Sequence, residues 1–147
     1  MTRRRVAVTG LGLVTPVGGD VEESWRNIIA GVSGAASIGD FDVSDFSTKF
    51  SASVKDFDTE AYFSRKEARK MDVFVHYGIA AGMQAIQDAG LDNADGLDLE
   101  RVGVSIGSGI GGLPNIENQH KALLDGGPRK VSPFFVPSTI INMISGN

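Results

Sequence analysis

The sequence has 147 residues and a mass of 15.5 kDa, the size of one ordinary domain or of a portion of a larger one. Hydrophobic residues make up 41% and charged residues 22%, a globular composition that excludes a disordered tail or a collagen-like repeat. Fourteen basic against 18 acidic residues leave a net charge of −4, which provides no overall attraction to nucleic acid or anionic lipid. With no cysteine, these residues hold no disulfide, no thiolate-bound metal and no cysteine nucleophile.

Basic Arg3-Arg4-Arg5 before an apolar run to Val17 has the outline of an export signal. Thr9, Gly10, Gly12, Thr15 and Pro16 interrupt that run and no small-residue cleavage site follows, so the expected location is the cytoplasm. No stretch approaches the roughly 18–20 apolar residues of a membrane helix, and no membrane insertion is expected. Arg4 to Thr9 is short and rich in β-branched residues and stops at Gly10-Leu11-Gly12, the pattern of a buried strand ending in a turn. Asp20 followed by Glu23 forms a capping box for a helix with Trp25, Ile28 and Ile29 at helical spacing, closed by Gly31. Ser33 to Gly39 is a linking stretch, and Phe41 to Tyr62 reads as irregular with one short strand near residues 49–54. Trp25 and the phenylalanines are expected in the core.

Ser64-Arg65-Lys66-Glu67 is a second capping box. Behind it Met71, Val75, Ile79, Met83 and Ile86 recur at threes and fours, predicting one long helix to Gly90, with Gly78 and Gly82 open to another backbone. Leu91 to Glu100 is an acidic loop. Arg101 to Ile106 alternates with period two, a strand running into Gly107-Ser108-Gly109-Ile110-Gly111-Gly112. Leu113 to Leu124 is a helix, residues 125–128 are a turn, and a last helix starts at Pro137-Ser138-Thr139. That apolar ending reads as an interrupted domain. Strands alternating with helices imply an α/β fold with a mainly parallel sheet.

Several motifs have plain explanations. Gly107-x-Gly109-x-x-Gly112 matches the dinucleotide pattern, but Asp125, near the ribose-binding distance, follows no strand. A glycine loop allowing close backbone approach fits better. Aligning residues 91–102 as a calcium loop puts Leu91 and Val102 at ligand positions, so Asp92-Asn93-Ala94-Asp95-Gly96 reads as a solvated turn. His76 with Asp72, and His120 with Glu117, read as exposed helical contacts, and no metal or cofactor is expected. The cluster Arg65, Lys66, Arg69 and Lys70 falls within one arc of a regular helix at about 100° per residue. Four cations sharing a face of an acidic chain suit an anionic partner, with an ordinary solvated face as the alternative.

The opening Arg4-Arg5-Val6-Ala7-Val8-Thr9-Gly10-Leu11-Gly12 with Pro16-Val17-Gly18 resembles the β-ketoacyl-acyl carrier protein synthases, nearest their synthase II branch. So do Ser64 to Glu67 with Arg69-Lys70-Met71-Asp72, Gly107 to Gly112, Gly126-Gly127-Pro128-Arg129-Lys130, and Ser132 to Thr139. The resemblance covers the whole chain and only the first third of a complete enzyme of that family. It implies a thiolase-like layered fold, residues 1–147 being its N-terminal portion, and a homodimer.

It also implies fatty-acid elongation by decarboxylative Claisen condensation between an acyl thioester and malonyl-carrier protein. The partner is then an acyl carrier protein bearing phosphopantetheine-linked acyl and malonyl groups. The family's catalytic cysteine falls beyond the position of Asn147, so no catalytic residue is expected in this chain, and the chain alone is expected to be inactive. By the same resemblance Ile110 lines the acyl pocket and Phe135 reaches the neighbouring subunit's pocket, while Lys66, Arg69 and Lys70 meet the carrier protein. A non-catalytic module binding a carrier protein or subunit is the alternative reading.

Overall fold

Asp20 opens the first helix as its spacing predicts. In the computed structural model, which describes residues 3–92 and 95–147, its carboxylate accepts from the Glu23 N–H at 2.8 Å and starts α1, Val21–Ile29. The Glu23 carboxylate in turn accepts from the Gly19 N–H at 2.8 Å, one residue further back than a standard capping box. The helix closes where Val32 donates to Asn27 and Gly31 to Ile28.

The chain divides into two compact units, Met1–Phe57 with Ala81–Asn93, and Asp58–Ala80 with Ala94–Asn147. In the first, Ser24 of α1 is fully buried and ties the turn at residues 15–18: its hydroxyl shares a 2.9 Å hydrogen bond with Thr15 and donates to the Gly18 carbonyl. Asn27 donates to the Val17 carbonyl at 2.6 Å. A two-stranded antiparallel sheet pairs β1, Ala36–Ser37, with β2, Phe50–Ser51, Ala36 lying opposite Ser51.

The long helix α3, Val73–Asp88, gives its residues 81–88 to this unit. Gly12 lies so close to it that an added Cβ would stand 1.9 Å from the Ala81 carbonyl oxygen. Side chains one helical turn apart serve the passing backbone. Asp88 accepts from the Leu11 N–H at 2.8 Å, and Gln84 accepts from the Leu13 N–H at 3.0 Å while donating to the Gly19 carbonyl.

The second unit holds α2, Arg65–Ala68, the start of α3, and α4, Leu113–Gly126. It ends in α5, Phe135–Thr139, and α6, Met143–Gly146. Short 3₁₀ turns lie at Thr59–Ala61, Leu99–Arg101 and Pro128–Lys130. Its buried apolar centre is Val75, Ala80 and Ile144, and the Ile144 side chain rests on Gly78.

Several expectations are corrected. Residues 4–9 and 101–106 form no ladder, and the one sheet among the described residues is antiparallel, not parallel. A ladder needs a neighbouring strand, whereas Val6 and Val8 are 92% and 78% exposed and Ile106 donates to the Ser145 hydroxyl instead. The short strand expected near residues 49–54 is β2, but its partner β1 lies in the stretch read as a linker.

The helix expected from residue 65 to Gly90 is broken at residues 69–72, where Lys70 and Met71 donate to Glu67 and Ala68 in tight turns. Gly10 and Gly12, not Gly78 and Gly82, take the close backbone approach. Gly78 receives a side chain and Gly82 has nothing within 4 Å. Trp25 is 62% exposed, and Phe41, Phe46 and Phe50 are exposed with it, Phe41 and Phe46 meeting edge-on at 6.0 Å.

His76 is buried, not an exposed partner of Asp72. Asp125, expected in a turn, stands in the last turn of α4. The last helix is two short ones, because Gly112 donates to the Thr139 carbonyl where a continuing helix would have used it. Asn93 and Ala94, within the acidic loop compared with a calcium site, lie outside the described residues. No helix among the described residues is long and apolar enough to cross a membrane.

Candidate functional site

The second unit holds all five side chains singled out by the resemblance. Ser64 starts α2 with a complete capping box: it accepts from the Glu67 N–H at 3.3 Å, while Glu67 accepts from the Ser64 N–H at 3.0 Å and its hydroxyl at 2.6 Å. These bonds hold the Glu67 carboxyl below its ordinary value, the Ser64 hydroxyl contributing most, then the Ser64 N–H; Lys70 and Lys66 lower it further.

The basic cluster separates into two groups. Arg65 is ion-paired with Glu60 at 2.6 Å, an interaction absent from any helical-arc argument because Glu60 precedes the helix. Lys66, Arg69 and Lys70 are exposed, Lys66 within α2 and the other two on the turn that ends it. The break in the helix removes the regular angular spacing predicted for them. The Lys70 ammonium stands 5.6 Å from the Phe134 ring centroid, a distance suited to a cation–π contact. Beside them a groove of about 330 Å³ is bordered by Met71, Phe134, Pro137 and Met143.

His76 supports this turn from within. Its Nε2 lies 3.1 Å from the Ala68 carbonyl oxygen, at the end of α2, and its ring centroid lies 5.2 Å from that of Phe63. The ring therefore gives the Ala68 carbonyl, which already accepts from the Met71 N–H at 3.2 Å, a second partner.

The glycine loop lies before α4. Ile110 is 67% exposed; Gly111 has a φ of 90° and donates to the Ser108 hydroxyl at 3.2 Å. Gly112, the N-cap residue of α4, has no side chain with which to cap it. Asp72 takes that role from another segment: its carboxylate accepts from the Asn115 N–H at 3.1 Å. An added Cβ on Gly112 would stand 3.0 Å from both Asp72 Oδ2 and Thr139 Cα. Close approach is thus confined to the Gly111–Gly112 end of the loop, since Gly107 and Gly109 have nothing within 4 Å of an added Cβ.

Phe135 opens α5 half-buried, and its carbonyl accepts from the Ser138 and Thr139 hydroxyls at 2.9 Å. Asn115 donates its side-chain amide to the Ser138 hydroxyl, joining α4 to α5. Arg69, Asp72, Asn115, Gln119, Phe134 and Ser138 border a polar cleft of about 360 Å³.

The sequence reading missed Asp72, Asn115 and Ser138 as parts of this arrangement. One signal was available: a helix starting at glycine with Pro114 in its first turn must find an acceptor elsewhere.

Residues 3–147 match the family model described as β-ketoacyl synthase, N-terminal domain. The chain is 58% identical over all 147 residues to 3-oxoacyl-(acyl-carrier-protein) synthase 2 of Vibrio cholerae, and covers 35% of that protein. To the synthase 2 of Coxiella burnetii it is 49% identical over 146 residues, 99% of this chain and again 35% of the relative.

Among solved structures it resembles a type II PKS ketosynthase in complex with its acyl-carrier protein. The TM-score is 0.77 at 31% identity, over 98% of this chain and 37% of that one. A β-ketoacyl synthase from Burkholderia phymatum gives a TM-score of 0.76 over 98% of this chain and 36% of that one, at 24% identity a likeness of fold alone. The described residues share the fold of these ketosynthases, the thiolase-like architecture that the resemblance implied.

Proposed function

The chain belongs to the β-ketoacyl synthase family, in which it matches the N-terminal domain, and from that premise we propose that it is the N-terminal portion of a fatty-acid-elongating synthase. In that chemistry an acyl group passes from carrier protein to a cysteine thiol. Malonyl-carrier protein then loses carbon dioxide, and the resulting carbanion attacks the thioester carbonyl, expelling the thiolate and leaving a 3-oxoacyl group on the carrier. These 147 residues contain no cysteine, so the nucleophile of this reading lies in sequence outside them. Their share of the work is to receive the carrier protein, form one wall of the acyl pocket and contribute to a homodimer.

The observation that supports this best is the turn bearing Lys66, Arg69 and Lys70, exposed on a chain of net charge −4 with Arg65 already engaged by Glu60. Solvated cations of this kind raise association rate and set orientation more than they add affinity. The ketosynthase of similar fold that was solved with its acyl-carrier protein is consistent with such a partner. Ile110, exposed on the glycine loop, takes the pocket role, and Phe135 the role across the dimer. Residues 4–9 and 101–106, whose valines are exposed, would join a mainly parallel sheet where neighbouring strands are present, in an enzyme that works in the cytoplasm.

The experiment is binding of acyl carrier protein, with its phosphopantetheine arm, to the complete protein carrying Lys66→Glu and Arg69→Glu. Affinity should fall at low salt, and the difference from the parent should shrink as salt rises. Equal affinity at low salt would exclude the docking role. The alternative reading is a non-catalytic module that binds carrier protein. A complete protein that binds the carrier but has no acylable thiol would decide for it.

A further inference from the structure

Two features meet at Asp72. It stands two residues after Lys70, on the turn that follows the exposed cations, and is itself only 9% exposed. Its carboxylate accepts from the Asn115 N–H at 3.1 Å, in the first turn of α4, across 43 residues of sequence. Both its Oδ2 and its Cβ lie against Gly112, about 3 Å from where a Cβ on that glycine would be.

Gly112 is the end of the loop that bears Ile110. The loop is held there on its other side too, where Gly112 donates to the Thr139 carbonyl at 3.1 Å. Gly111 is held on that side as well, since a Cβ on it would stand 2.4 Å from the same Thr139 carbonyl oxygen, and its N–H donates to the Ser108 hydroxyl at 3.2 Å, whereas Gly107 and Gly109 have nothing within 4 Å of an added Cβ. The contacts that flank Ile110 therefore gather on its Gly111–Gly112 side.

We infer that Asp72 is a positioning residue: it ties the cation-bearing turn to the glycine loop and, by fixing Gly112, sets where Ile110 stands. The inference rests on the reading of Ile110 as an acyl-pocket residue. A carboxylate at a helix N-terminus is favourable in itself, but a cap that served only the helix could come from the N-cap side chain. Here glycine occupies that position, which leaves room for the approach of Asp72 and makes the link tertiary.

The test compares Asp72→Ala, Asp72→Asn, Gly112→Ala and Ile110→Phe in the complete protein. The readouts are kcat/KM for a short and a long acyl thioester, together with thermal stability. Asp72→Ala and Gly112→Ala should each shift the long-to-short ratio by about three- to tenfold, the size expected for losing one cap. Asp72→Asn keeps an acceptor oxygen and should stay within about twofold of the parent ratio. A purely structural role would lower activity at both chain lengths alike and leave the ratio unmoved.

An unmoved ratio in both Asp72→Ala and Gly112→Ala overturns the inference, as does a shift in Asp72→Asn as large as in Asp72→Ala. Should Asp72→Ala fail to fold, Gly112→Ala decides, since it disturbs the Asp72 contact from the loop side, together with the approach to Thr139. Ile110→Phe separates the two levels. If it shifts the ratio while the others do not, the inference alone fails; if it shifts nothing, the pocket reading fails and the inference with it.

Discussion

His76 closes α2 from a distance of eight residues, its Nε2 lying 3.1 Å from the Ala68 carbonyl oxygen while its ring lies against Phe63. The bond adds a second donor to a carbonyl that also accepts from the Met71 N–H, and so ties α3 to the turn that presents Arg69 and Lys70. His76→Ala removes both contributions. It should cost about 0.5–1.5 kcal/mol, the range for one hydrogen bond lost from an acceptor that keeps another, with His76→Gln intermediate because it retains a donor. Denaturant unfolding of the complete protein measures this; an alanine variant as stable as the parent would show the contact to be incidental.

Gly12 and Gly82 should respond in opposite ways to the same change. A Cβ on Gly12 would overlap the Ala81 carbonyl at 1.9 Å, and backbone cannot swing aside as a side-chain end can. Gly12→Ala is expected to cost at least about 1–3 kcal/mol. Gly82 has nothing within 4 Å and sits inside α3, so alanine there should stabilise by about 0.5–1 kcal/mol through helix propensity. Melting temperatures of the two variants check the pair. Destabilisation by Gly82→Ala would reveal a neighbour packed on that face.

Acid should loosen the cap of α2. The Glu67 carboxyl is held below its ordinary value by the Ser64 hydroxyl first and the Ser64 N–H second. A group with a lowered folded pKa stabilises fully above its unfolded pKa and loses that contribution as pH falls through the folded value. The cap is therefore intact at neutral pH and lost only below the usual glutamate range. Carboxyl NMR titration of Glu67 should give a lowered midpoint that rises in Ser64→Ala. A midpoint unaffected by that substitution would contradict the assigned cause.

What could be read from the sequence here is what acts over three or four residues. The caps Asp20–Glu23 and Ser64–Glu67, the extent of α4 and the short strand near Phe50 all follow from hydrogen bonds and periodicities contained within their own segments. Motif order likewise brought Ile110, Phe135, Lys66, Arg69 and Lys70 forward as candidates.

The rest depends on partners far along the chain. Leu13 finds Gln84 across 71 residues, Asn115 finds Asp72 across 43, and no local pattern announces either bond. The same physics explains the unpaired segments at residues 4–9 and 101–106. Alternation shows that a stretch is suited to a sheet, but a ladder forms only where another strand presents its own N–H and C=O groups. Sequence by itself determined which segments could be helix, turn or strand. Tertiary structure alone decided that Leu13 is held by Gln84, that Ile106 donates to Ser145, and that the cap of α4 comes from Asp72, because each depends on which distant polar group arrives to satisfy an open one.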